Sequence, residues 1–450
     1  MGRARFSTPP LFQSKLLCFS LIYLFSSLFL ALHFTFSTSK CIFRSSPFDP
    51  LQPPLFSYPS TYGEHKHAIP TTRSSCDSPV FFSDYWDVVK EMHRLLENST
   101  SLGARSLRYM QGNADSFGGN LSFHKRISYF DHPQNEPENE IPCGFFRDFP
   151  ITSSDQISME KCDGIVVASA IFNDHDKIRQ PRGLGSQTLD YVCFFMFVDD
   201  VTLKTLHFHK MTSRESEEHK IGAWRVVKVS SEHLYENAAM NGVIPKYLVH
   251  RLFPNSKYSM WIDAKLQLVI DPLLLIHSLL VKENMDMAIS RHPYFLHTME
   301  EAMATGRWKK WRDVNGLKVQ METYCDNGLE PWSSNKPYPT DVPDSALILR
   351  KHSAASNHFS CLMFNELEAF NPRDQLPFAY VRDNMNPKLN INMFVVEVFE
   401  QVAVEYRHNL KQGGASVGPK VNMVTSDWLA NGRSSKCEGY LLKMWGESHG

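Results

Sequence analysis

The stretch with the clearest potential for chemistry is YSMWIDAKLQLVIDP, Tyr258 to Pro272, in which an acid and a base lie two positions apart where an apolar run ends. Side chains two residues apart on a strand point to the same side, so Asp263 and Lys265 would face one ligand. A carboxylate there can hold a divalent cation beside a diphosphate, and a lysine can neutralise a diphosphate without a metal. A salt-bridged pair with a structural role is the alternative.

Two further groups of charged residues have spacings that suit anion or metal binding. Asp199 and Asp200 end another apolar run, YVCFFMFVDD, where a helix N-cap or a loop charge is the alternative to a ligand site. Lys246, His250 and Arg251 are spaced i, i+4, i+5, which would put them on one helix face. That face either lies in solvent or directs cations at a phosphate.

Motifs for hydrolysis are weak in this chain. GASVG, residues 414–418, satisfies the G-x-S-x-G pattern of a nucleophile elbow, but that elbow needs a buried strand before it and a helix after it. Here EYRHNLKQG precedes it and a proline follows. His207 and His209 have no third metal ligand nearby, and the sequence contains no HExxH motif. We therefore predict neither a serine nucleophile nor a zinc hydrolase site.

The elements that would position these residues alternate between strands and helices. GIVVASAI, YVCFFMFV, AWRVVKV, YSMWI and DMAIS are short apolar runs, whereas DPLLLIHSLLV and NGVIPKYLVHRLFP, with Pro245 in its first turn, have helical spacing. This alternation predicts an α/β fold with a mostly parallel central sheet covered on both faces. In such sheets ligands bind outside the carboxyl ends of the strands. The residues expected to meet there are Asn173, Asp174, Asp199, Asp200, Asp263 and Lys265.

The part of the chain from Thr298 to Asn386 is predicted to be mainly helical, with one strand, SALILRK. Two acidic stretches, PTDVPDS and NPRDQLPFAYVRD, interrupt it. They add further candidates for the site, namely Asp341, Asp344, Asp374, Arg382 and Asp383.

The overall composition is that of a large globular protein. The chain has 450 residues, of which 42% are hydrophobic and 12% aromatic, and its net charge is −1. That length suits one large domain with appendages or two domains. Because no basic footprint is present, nucleic-acid binding is not an expected function.

The N-terminal region predicts a membrane anchor. Leu16 to Phe36 is a stretch of about 20 residues without a charge, long enough to cross a bilayer as a helix. Arg3, Arg5 and Lys15 precede it, so the N-terminus is expected in the cytoplasm and the bulk of the chain in the lumen. A cleaved signal peptide is the alternative, but its apolar region would be shorter. We therefore expect a single-pass type II membrane protein with an uncleaved signal anchor.

These patterns divide the chain into five predicted segments. They are a cytoplasmic tail (1–15), the anchor (16–36), a stem or linker (37–142), a lumenal domain (143–409) and a polar C-terminal tail (410–450). Within the stem, Cys41 to Ser75 is rich in Pro, Ser and Thr and is predicted to be a spacer that lifts the domain off the membrane. A short amphipathic helix is predicted at about Ser83–Glu97.

The cysteines and glycosylation sequons agree with a lumenal domain. Eight of the nine cysteines lie outside the anchor, where disulfides persist, and no CxxC spacing indicates zinc. Cys193, inside an apolar strand, is expected to be a buried thiol rather than a bridge partner. Asn98 and Asn120 begin N-x-S/T sequons.

Three stretches taken together, VVASAIFNDHDKI, PKYLVHRLFPNSKYSMWIDAKLQL and FNPRDQLPFAYVRD, resemble a plant family of glycosyltransferase-like Golgi proteins. The resemblance runs from about Cys143 to His408. The family has a mucilage-related branch of probable hexosyltransferases and a turgor-regulation branch described as alkaline ceramidase, and the stretch MQGNADSFGGN is more similar to the second. Membership implies a GT-A-like nucleotide-sugar transferase fold, type II topology and a Golgi membrane location.

The resemblance also implies roles for individual residues. Asp263 matches the first acid of the family's D-x-D motif and Lys265 replaces the second, so the implied Mn²⁺ or other divalent cation loses one ligand. Asp199 and Asp200 match the acidic doublet that ends the family's second strand. His408, in VEYRHNLK, matches a late histidine that completes metal coordination in related transferases.

The resemblance leaves three hypotheses for function. The first is transfer of a hexose from a nucleotide sugar to a polysaccharide or glycoprotein, the second is hydrolysis of ceramide, and the third is a non-catalytic scaffold for other Golgi enzymes. Under the first, the catalytic candidates are Asp263, Lys265 and Asp383. The nucleotide-sugar candidates are Asn173, Asp174, Asp199, Asp200, Lys246 and Arg251. The acceptor-side candidates are Asp341, Asp344, Asp374 and Arg382.

Overall fold

The computed structural model describes most of the chain. The described residues are 14–35, 40–45, 48–52, 54–62, 68–69, 76–97, 107–132, 140–212, 219–232, 234–308, 310–408 and 437. The strands are β1 Ile42–Arg44, β2 Val80–Phe82, β3 Arg108–Tyr109, β4 Glu140–Ile141, β5 Ile165–Ile171, β6 Val192–Val198, β7 His219–Ile221, β8 Trp224–Lys228, β9 Tyr258–Ile262, β10 Leu266–Leu268, β11 Met287–Arg291, β12 Pro343–Lys351, β13 Ile391–Phe394 and β14 Ala403–Glu405.

The helices lie between these strands and before them. They are α1 Lys15–Thr35, α2 Tyr85–Glu97, α3 Phe123–Ile127, α4 Ser153–Glu160, α5 Thr188–Tyr191, α6 Asp200–Phe208, α7 Ala238–Tyr247, α8 Val249–Leu252, α9 Pro272–Ile276, α10 Thr298–Arg307, α11 Val314–Asp326, α12 Ala354–Ala369, α13 Gln375–Asn384 and α14 Val396–Val402. A π-helical turn, His277–Val281, continues α9.

Eight of the strands form one central sheet in the order β13-β11-β12-β9-β5-β6-β8-β7. The pairs β5–β6, β5–β9, β6–β8 and β11–β13 are parallel. Strand β12 is antiparallel to both of its neighbours, and β7 is antiparallel to β8. The predicted α/β fold with a large, mostly parallel sheet is confirmed.

Both faces of the sheet are buried, which explains why its strands are apolar rather than alternating. Along β5, Val166 and Ala168 pack into one hydrophobic core, whereas Ile165 and Val167 pack into the other. Helices α7, α12 and α13 contribute to the first core, and α9 contributes to the second. The sheet is therefore a rigid frame whose strand ends hold fixed positions.

Much of the predicted stem packs against this frame. Cys41 and Tyr85 are buried in the core beneath the sheet, and Phe117 is buried in the core above it. The Tyr62 hydroxyl accepts a hydrogen bond from the Ile178 backbone at 2.7 Å. The prediction of a free spacer from Cys41 to Ser75 is thus wrong for its described part, because aromatic side chains among the prolines bury enough surface to fix the segment.

Four disulfides join described residues. They are Cys41–Cys76, Cys143–Cys361, Cys162–Cys193 and Cys325–Cys437. The prediction that Cys193 is a thiol is wrong, since β6 places it beside Cys162, which follows α4. Apart from Cys437, the predicted tail lies outside the described residues.

The N-terminal helix and one internal helix also bear on the predictions. Lys15–Leu32 is long and apolar enough to cross a membrane, which is compatible with a single-pass anchor. The helix predicted to begin near Pro245 begins at Ala238 instead, with Pro245 in its last turns. It ends at Tyr247, and a separate short helix, α8, carries the next residues.

Candidate functional site

The carboxyl ends of β5, β6 and β9 meet at one edge of the sheet, because these strands are parallel. Antiparallel β12 begins at the same edge, and the Asp263 backbone N–H donates to the Ala346 carbonyl at 2.8 Å. The short pair β10–β14 adds a last segment there, with Leu266 opposite Glu405. We call Asp263, Lys265, Asp344 and Glu405 the strand-end cluster.

Lys265 is the cation at the centre of the strand-end cluster. Its ammonium binds Glu405 at 2.8 Å. Desolvation by burial works against the charged form, but the carboxylates of Asp344, Asp263 and Glu405 outweigh it and raise the pKa of Lys265. Lys265 therefore stays protonated, and it lies where a divalent cation would be held by a second acid.

Asp263 is fixed by two neighbours on the same side of the sheet. Its Oδ1 accepts a hydrogen bond from the Trp261 indole at 2.7 Å and lies 3.5 Å from the Lys246 ammonium. Lys246 is itself buried and pairs with Asp374 at 2.6 Å. It was predicted to bind the nucleotide sugar. In this structure its ammonium is buried between Asp374 and Asp263 and positions the Asp263 carboxylate.

Asp374 is an internal anchor for this arrangement. It accepts hydrogen bonds from Ser345 at 2.7 Å and from the Tyr247 hydroxyl at 3.1 Å, in addition to the Lys246 pair. Burial alone would raise the pKa of Asp374, but the charge and hydrogen bond of Lys246, followed by the hydrogen bond from Ser345, lower it below the usual value. Asp374 is buried and its described contacts are all with side chains of the protein, so it positions Lys246, Ser345 and Tyr247, while its acceptor-side role stays a prediction.

Asp344 differs from its neighbours in the strand-end cluster. It is half-buried, and its Oδ1 accepts only the Ala346 backbone N–H at 3.1 Å among the hydrogen bonds described for its side chain. Burial raises the pKa of Asp344 and Asp263 adds to this effect, whereas Lys265 opposes it. A carboxyl group with a raised pKa at the edge of a site is suited to exchange a proton.

A second ionic cluster lies beyond the start of β12 and consists of Lys336, Asp341, Arg382 and Asp383. Arg382 binds Asp341 at 2.7 Å and Asp383 at 2.6 Å, and Lys336 contacts both acids at 3.1 Å. Asp341 and Arg382 are completely buried, whereas Asp383 is partly exposed. Burial would raise the pKa of Asp383, but Arg382 and Lys336 lower it overall, so this acid stays ionised.

The sequence prediction missed a third group, centred on fully buried Glu301. Glu301 binds Arg373 and, at 3.2 Å, Lys310, and His292 lies 3.9 Å away. Burial, with Lys310 and Arg373 nearby, lowers the pKa of His292 to about 4, although Glu301 acts in the opposite direction. The charge of Lys265 also reaches His292 and Lys310, so this group borders the strand-end cluster.

The turn after β5 is tied to the start of α6. Asn173 and Asp174 both have positive φ, at 58° and 55°, which these residue types tolerate better than most. Their backbone N–H groups donate to Asp199 at 2.7 Å and to Thr202 at 3.0 Å. Asp199 also caps α6 through the Thr202 N–H, so the N-cap interpretation of this acid accounts for its contacts.

The remaining predicted residues fall into different environments. Asp200 pairs with Lys228 at 2.9 Å, which lowers the pKa of Asp200. Arg251 lies away from the cluster, because α7 ends before α8 begins: it donates to the Cys143 carbonyl at 3.0 Å and stacks on Tyr109. The helical face predicted for Lys246 and Arg251 is therefore divided.

His408 and the sequons complete the list of predicted sites. The His408 imidazole binds Asp176 at 3.0 Å, which raises the pKa of His408, and the charges of Lys265 and Asp263 reach it. It therefore borders the strand-end cluster, while its role in metal binding stays a prediction. Asn120 is exposed, and Asn98 lies outside the described residues.

The strand-end cluster does not fit the Mn²⁺ that the resemblance implies. Lys265 lies among the carboxylates that a metal would need, and Asp263 Oδ1 already accepts a hydrogen bond from Trp261 and forms an ion pair with Lys246. Among the described residues, only Cys143, His250 and Cys361 bring three metal-ligand atoms within 4.8 Å. The two cysteines of that group are joined in a disulfide, so they offer no thiolate.

Comparison with known families decides where the chain belongs. The description "TOD1/MUCI70, glycosyltransferase-like domain" matches residues 104–408. The chain belongs to this family. The predicted resemblance is confirmed, and the matching region begins before Cys143, in agreement with the packing of residues 107–132 against the sheet.

Two members of the TOD1/MUCI70 family from Arabidopsis thaliana are similar over long stretches. "Alkaline ceramidase TOD1" is 61% identical, covering 98% of this chain and 98% of that protein. "Probable hexosyltransferase MUCI70" is 36% identical over 71% of this chain, which spans only 55% of that relative. The chain is thus closer to the first of these two proteins.

Solved structures share only a distant likeness with the chain. Mouse xyloside xylosyltransferase 1 has a TM-score of 0.28 at 9% identity, covering 51% of this chain and 84% of that one. The bifunctional glycosyltransferase WbbM has a TM-score of 0.28 at 11% identity, with coverages of 52% and 39%. At this TM-score they add nothing to the family assignment.

Proposed function

We propose that this protein transfers a hexosyl group from a nucleotide sugar to a polysaccharide or glycoprotein acceptor. The observation that carries the proposal is the position of Lys265 among three carboxylates at the carboxyl edge of the central sheet. Ligands of open α/β sheets bind at this edge. The family's glycosyltransferase-like domain supports the same reaction class.

On the donor side, Lys265 supplies positive charge for the departing nucleoside diphosphate. A leaving diphosphate gains negative charge as the glycosidic bond breaks, and a preplaced cation stabilises that charge in the transition state. Lys310, which Glu301 binds together with Arg373, is close enough to Lys265 for their charges to interact, and it adds to the positive field. Asp263 and Glu405 keep the ammonium in place, so the cluster acts without a bound metal.

The turn at Asn173 and Asp174 is the proposed contact for the nucleotide. It follows β5 directly, and its backbone is held by Asp199 and Thr202 rather than left free. A fixed turn can present polar side chains to a ribose or base at little entropic cost. Asp199 then contributes by holding the turn, and Asp200 by orienting the α6 start.

On the acceptor side, Asp344 is the proposed group that takes the proton from the attacking hydroxyl. Its raised pKa brings it closer to the range in which a carboxylate can accept and release a proton. Asp383 is ionised and partly exposed, and is the proposed hydrogen-bond acceptor for an acceptor sugar. Buried Arg382 forms ion pairs with both Asp383 and Asp341 and so fixes the position of the Asp383 carboxylate.

The proposed setting is the Golgi membrane, with α1 as a type II anchor and the sheet domain in the lumen. The length and apolar character of Lys15–Leu32 support the anchor. The four disulfides support an oxidising compartment. Exposed Asn120 is then available for glycosylation.

Ceramide hydrolysis is the second candidate, and the 61% identity to a protein named alkaline ceramidase favours it. Amide cleavage needs an activated nucleophile or a metal-bound water. Among the described residues, the only candidate metal group is Cys143, His250 and Cys361, in which the cysteines are bonded to each other. The strand-end cluster therefore suits sugar transfer better.

The two candidates are separated by assaying the full-length protein in detergent micelles with a panel of nucleotide sugars and, separately, with ceramide. Wild type is compared with Asp263→Asn and with Asp190→Asn, a matched change at an exposed acid outside the site. We expect nucleotide-sugar turnover in wild type and Asp190→Asn, and its loss in Asp263→Asn.

Ceramide cleavage without sugar transfer, lost in Asp263→Asn, would overturn the transferase proposal in favour of hydrolysis. If neither substrate turns over while nucleotide sugar still binds, the non-catalytic scaffold becomes the better account. Binding is measured by calorimetry on the same preparations, so inactive and unfolded protein are distinguished.

A further inference from the structure

Four basic side chains gather at the end of the sheet opposite the strand-end cluster. We call Arg251, Arg350, His250 and His352 the far-end basic cluster. Arg350 lies on β12 opposite Ser259 at the start of β9, four residues before Asp263. At about 3.3 Å per strand residue, this places the two sites about 13 Å apart along the strand.

Arg350 is buried and has no hydrogen-bonding partner among the residues that the structure describes. Its side chain is 1% exposed, and none of its three guanidinium nitrogens makes a hydrogen bond with the described residues. Its nearest aromatic contact is the Tyr247 ring, 5.3 Å from the guanidinium carbon. A charged donor group left unsatisfied in the interior is costly, so native proteins normally provide a counter-charge or hydrogen-bond acceptors.

The two histidines leave further atoms unpaired around this guanidinium. His250 Nε2 faces the Cys143–Cys361 disulfide, at 3.4 and 3.6 Å from the sulfurs, while Nδ1 has no hydrogen-bonding partner in the described part of the chain. His352 Nδ1 lies 2.8 Å from the Ser256 carbonyl, while its Nε2 has no partner among the residues that the structure describes. The Ser259 hydroxyl, the strand neighbour of Arg350, also makes no hydrogen bond with the described residues.

The charge around these side chains is unbalanced. The His250 and His352 rings lie 6.4 Å apart. Burial lowers the pKa of His250, and the charges of His352, Arg251 and Arg350 lower it further. The acid that reaches Arg350 is Asp374, whose oxygens are already engaged by Lys246, Ser345 and Tyr247. Among the described residues, neither Arg350 nor Arg251 forms an ion pair with an acid, and Arg251 instead donates to the Cys143 carbonyl.

We propose that the far-end basic cluster binds a small inorganic oxyanion of the sulfate or phosphate type. Guanidinium groups match the paired oxygens of such anions, and imidazoles and a hydroxyl supply further hydrogen bonds. A metal ion is disfavoured here, because both guanidinium charges repel it and the neighbouring cysteines are bonded to each other. The half-buried Arg251 and His352 form the outer side of the site, and Arg350 forms its inner wall.

The test is thermal unfolding of the full-length protein in detergent micelles, with sodium chloride replaced by millimolar sodium sulfate or phosphate at constant ionic strength. Arg350→Met removes the charge and keeps the length of the side chain, and Arg312→Met is a matched change at an exposed arginine. At a saturating oxyanion concentration we expect Tm to rise by about 5 °C in wild type and Arg312→Met. Arg350→Met should show at most a small rise, common to all proteins in excluded salts.

An equal rise in Arg350→Met would overturn the proposal, as would the absence of any rise in wild type. If Arg350→Met does not fold, calorimetric titration of wild type and Arg251→Met with sulfate replaces it. Binding by wild type and at least tenfold weaker binding by Arg251→Met is expected, whereas equal binding or none in wild type refutes the site. The result does not depend on whether the protein transfers sugars.

Discussion

Two arginines are almost completely buried, one at each end of the central sheet, and their surroundings are opposite. Arg382 lies in the cluster beyond the start of β12, where it binds Asp341, Asp383 and the Thr340 carbonyl at 2.6 to 2.9 Å. Arg350 lies near the other end of the same strand and has no hydrogen-bonding partner among the described residues. The two side chains are buried to a similar degree, but of the two only Arg382 forms ion pairs with described acids.

This contrast shows that a buried charge stabilises a fold only through its partners. Removing one member of a buried, hydrogen-bonded pair leaves the other uncompensated, whereas removing an unpaired buried charge relieves a desolvation cost. The edge with the strand-end cluster is balanced in this way, with carboxylates around every cation described there. At the far end, Arg350 has no such partner among the described residues, which is the observation behind the proposed oxyanion site.

The largest expected effect is on stability and compares the two arginines directly. Arg382→Met should lower the free energy of unfolding by about 3–5 kcal/mol, because completely buried Asp341 would lose its shortest ion pair and keep only Lys336 as a cationic partner. Arg350→Met, measured without sulfate or phosphate, should leave stability unchanged or raise it. Urea unfolding followed by circular dichroism measures both, and equal losses in the two variants would contradict the comparison.

The next effect is on catalysis at the balanced edge. Lys265→Met should lower kcat/KM for sugar transfer by about 10²–10³-fold, as expected when a charge that stabilises a leaving group is lost. Lys318→Met, at a partly exposed lysine on α11, should change kcat/KM less than twofold. If both variants keep wild-type activity, Lys265 has no role in the chemistry.

A smaller effect concerns metal binding and tests whether the ammonium of Lys265 takes the place of a metal ion. Lys265→Asp places a further carboxylate beside Asp263 and Asp344, and repulsion among these acids should give the variant affinity for Mn²⁺. Millimolar Mn²⁺ should then raise Tm by about 3 °C in Lys265→Asp and leave wild type unchanged. A similar rise in wild type would show that a metal binds despite the lysine.

The smallest effect is a pH dependence at the edge of the strand-end cluster. The hydrogen bond from His408 to Asp176 raises the pKa of His408, so its contribution to stability is present below about pH 6 and is lost as pH rises through the folded pKa. Because the imidazole is about half exposed, this contribution should be only a few tenths of a kcal/mol. His408→Gln should therefore destabilise the protein at pH 5.5 and have no effect at pH 8.5, as measured by urea unfolding.

The sheet and part of the site follow from local sequence. The apolar runs YSMWI and YVCFFMFV become β9 and β6, and the rule for strand ends correctly places Asp263 and Lys265 at a common edge with the turn at Asn173. These predictions succeed because they need only the strand pattern and the parallel pairing, both of which the chain expresses over a few residues.

What the sequence did not predict depends on contacts between distant segments. Glu405 reaches Lys265 through the pairing of β10 with β14, across 140 residues. Glu301 becomes visible as a site residue only after α10 and α13 place Lys310 and Arg373 beside it. Arg251 was predicted to share one helix face with Lys246, but α7 ends at Tyr247 and a separate helix, α8, begins at Val249, so the two residues do not lie on one helix.

The packed start of the domain limits how far it can move from a membrane. From Thr35, the last residue of α1, to buried Cys41 the chain advances only six residues, which span at most about 20 Å even when fully extended. With α1 in a bilayer, the domain is held close to the lipid surface and searches for acceptors in two dimensions. Acceptors attached to the same membrane then meet it at a high effective concentration, whereas free polymers must diffuse to that surface.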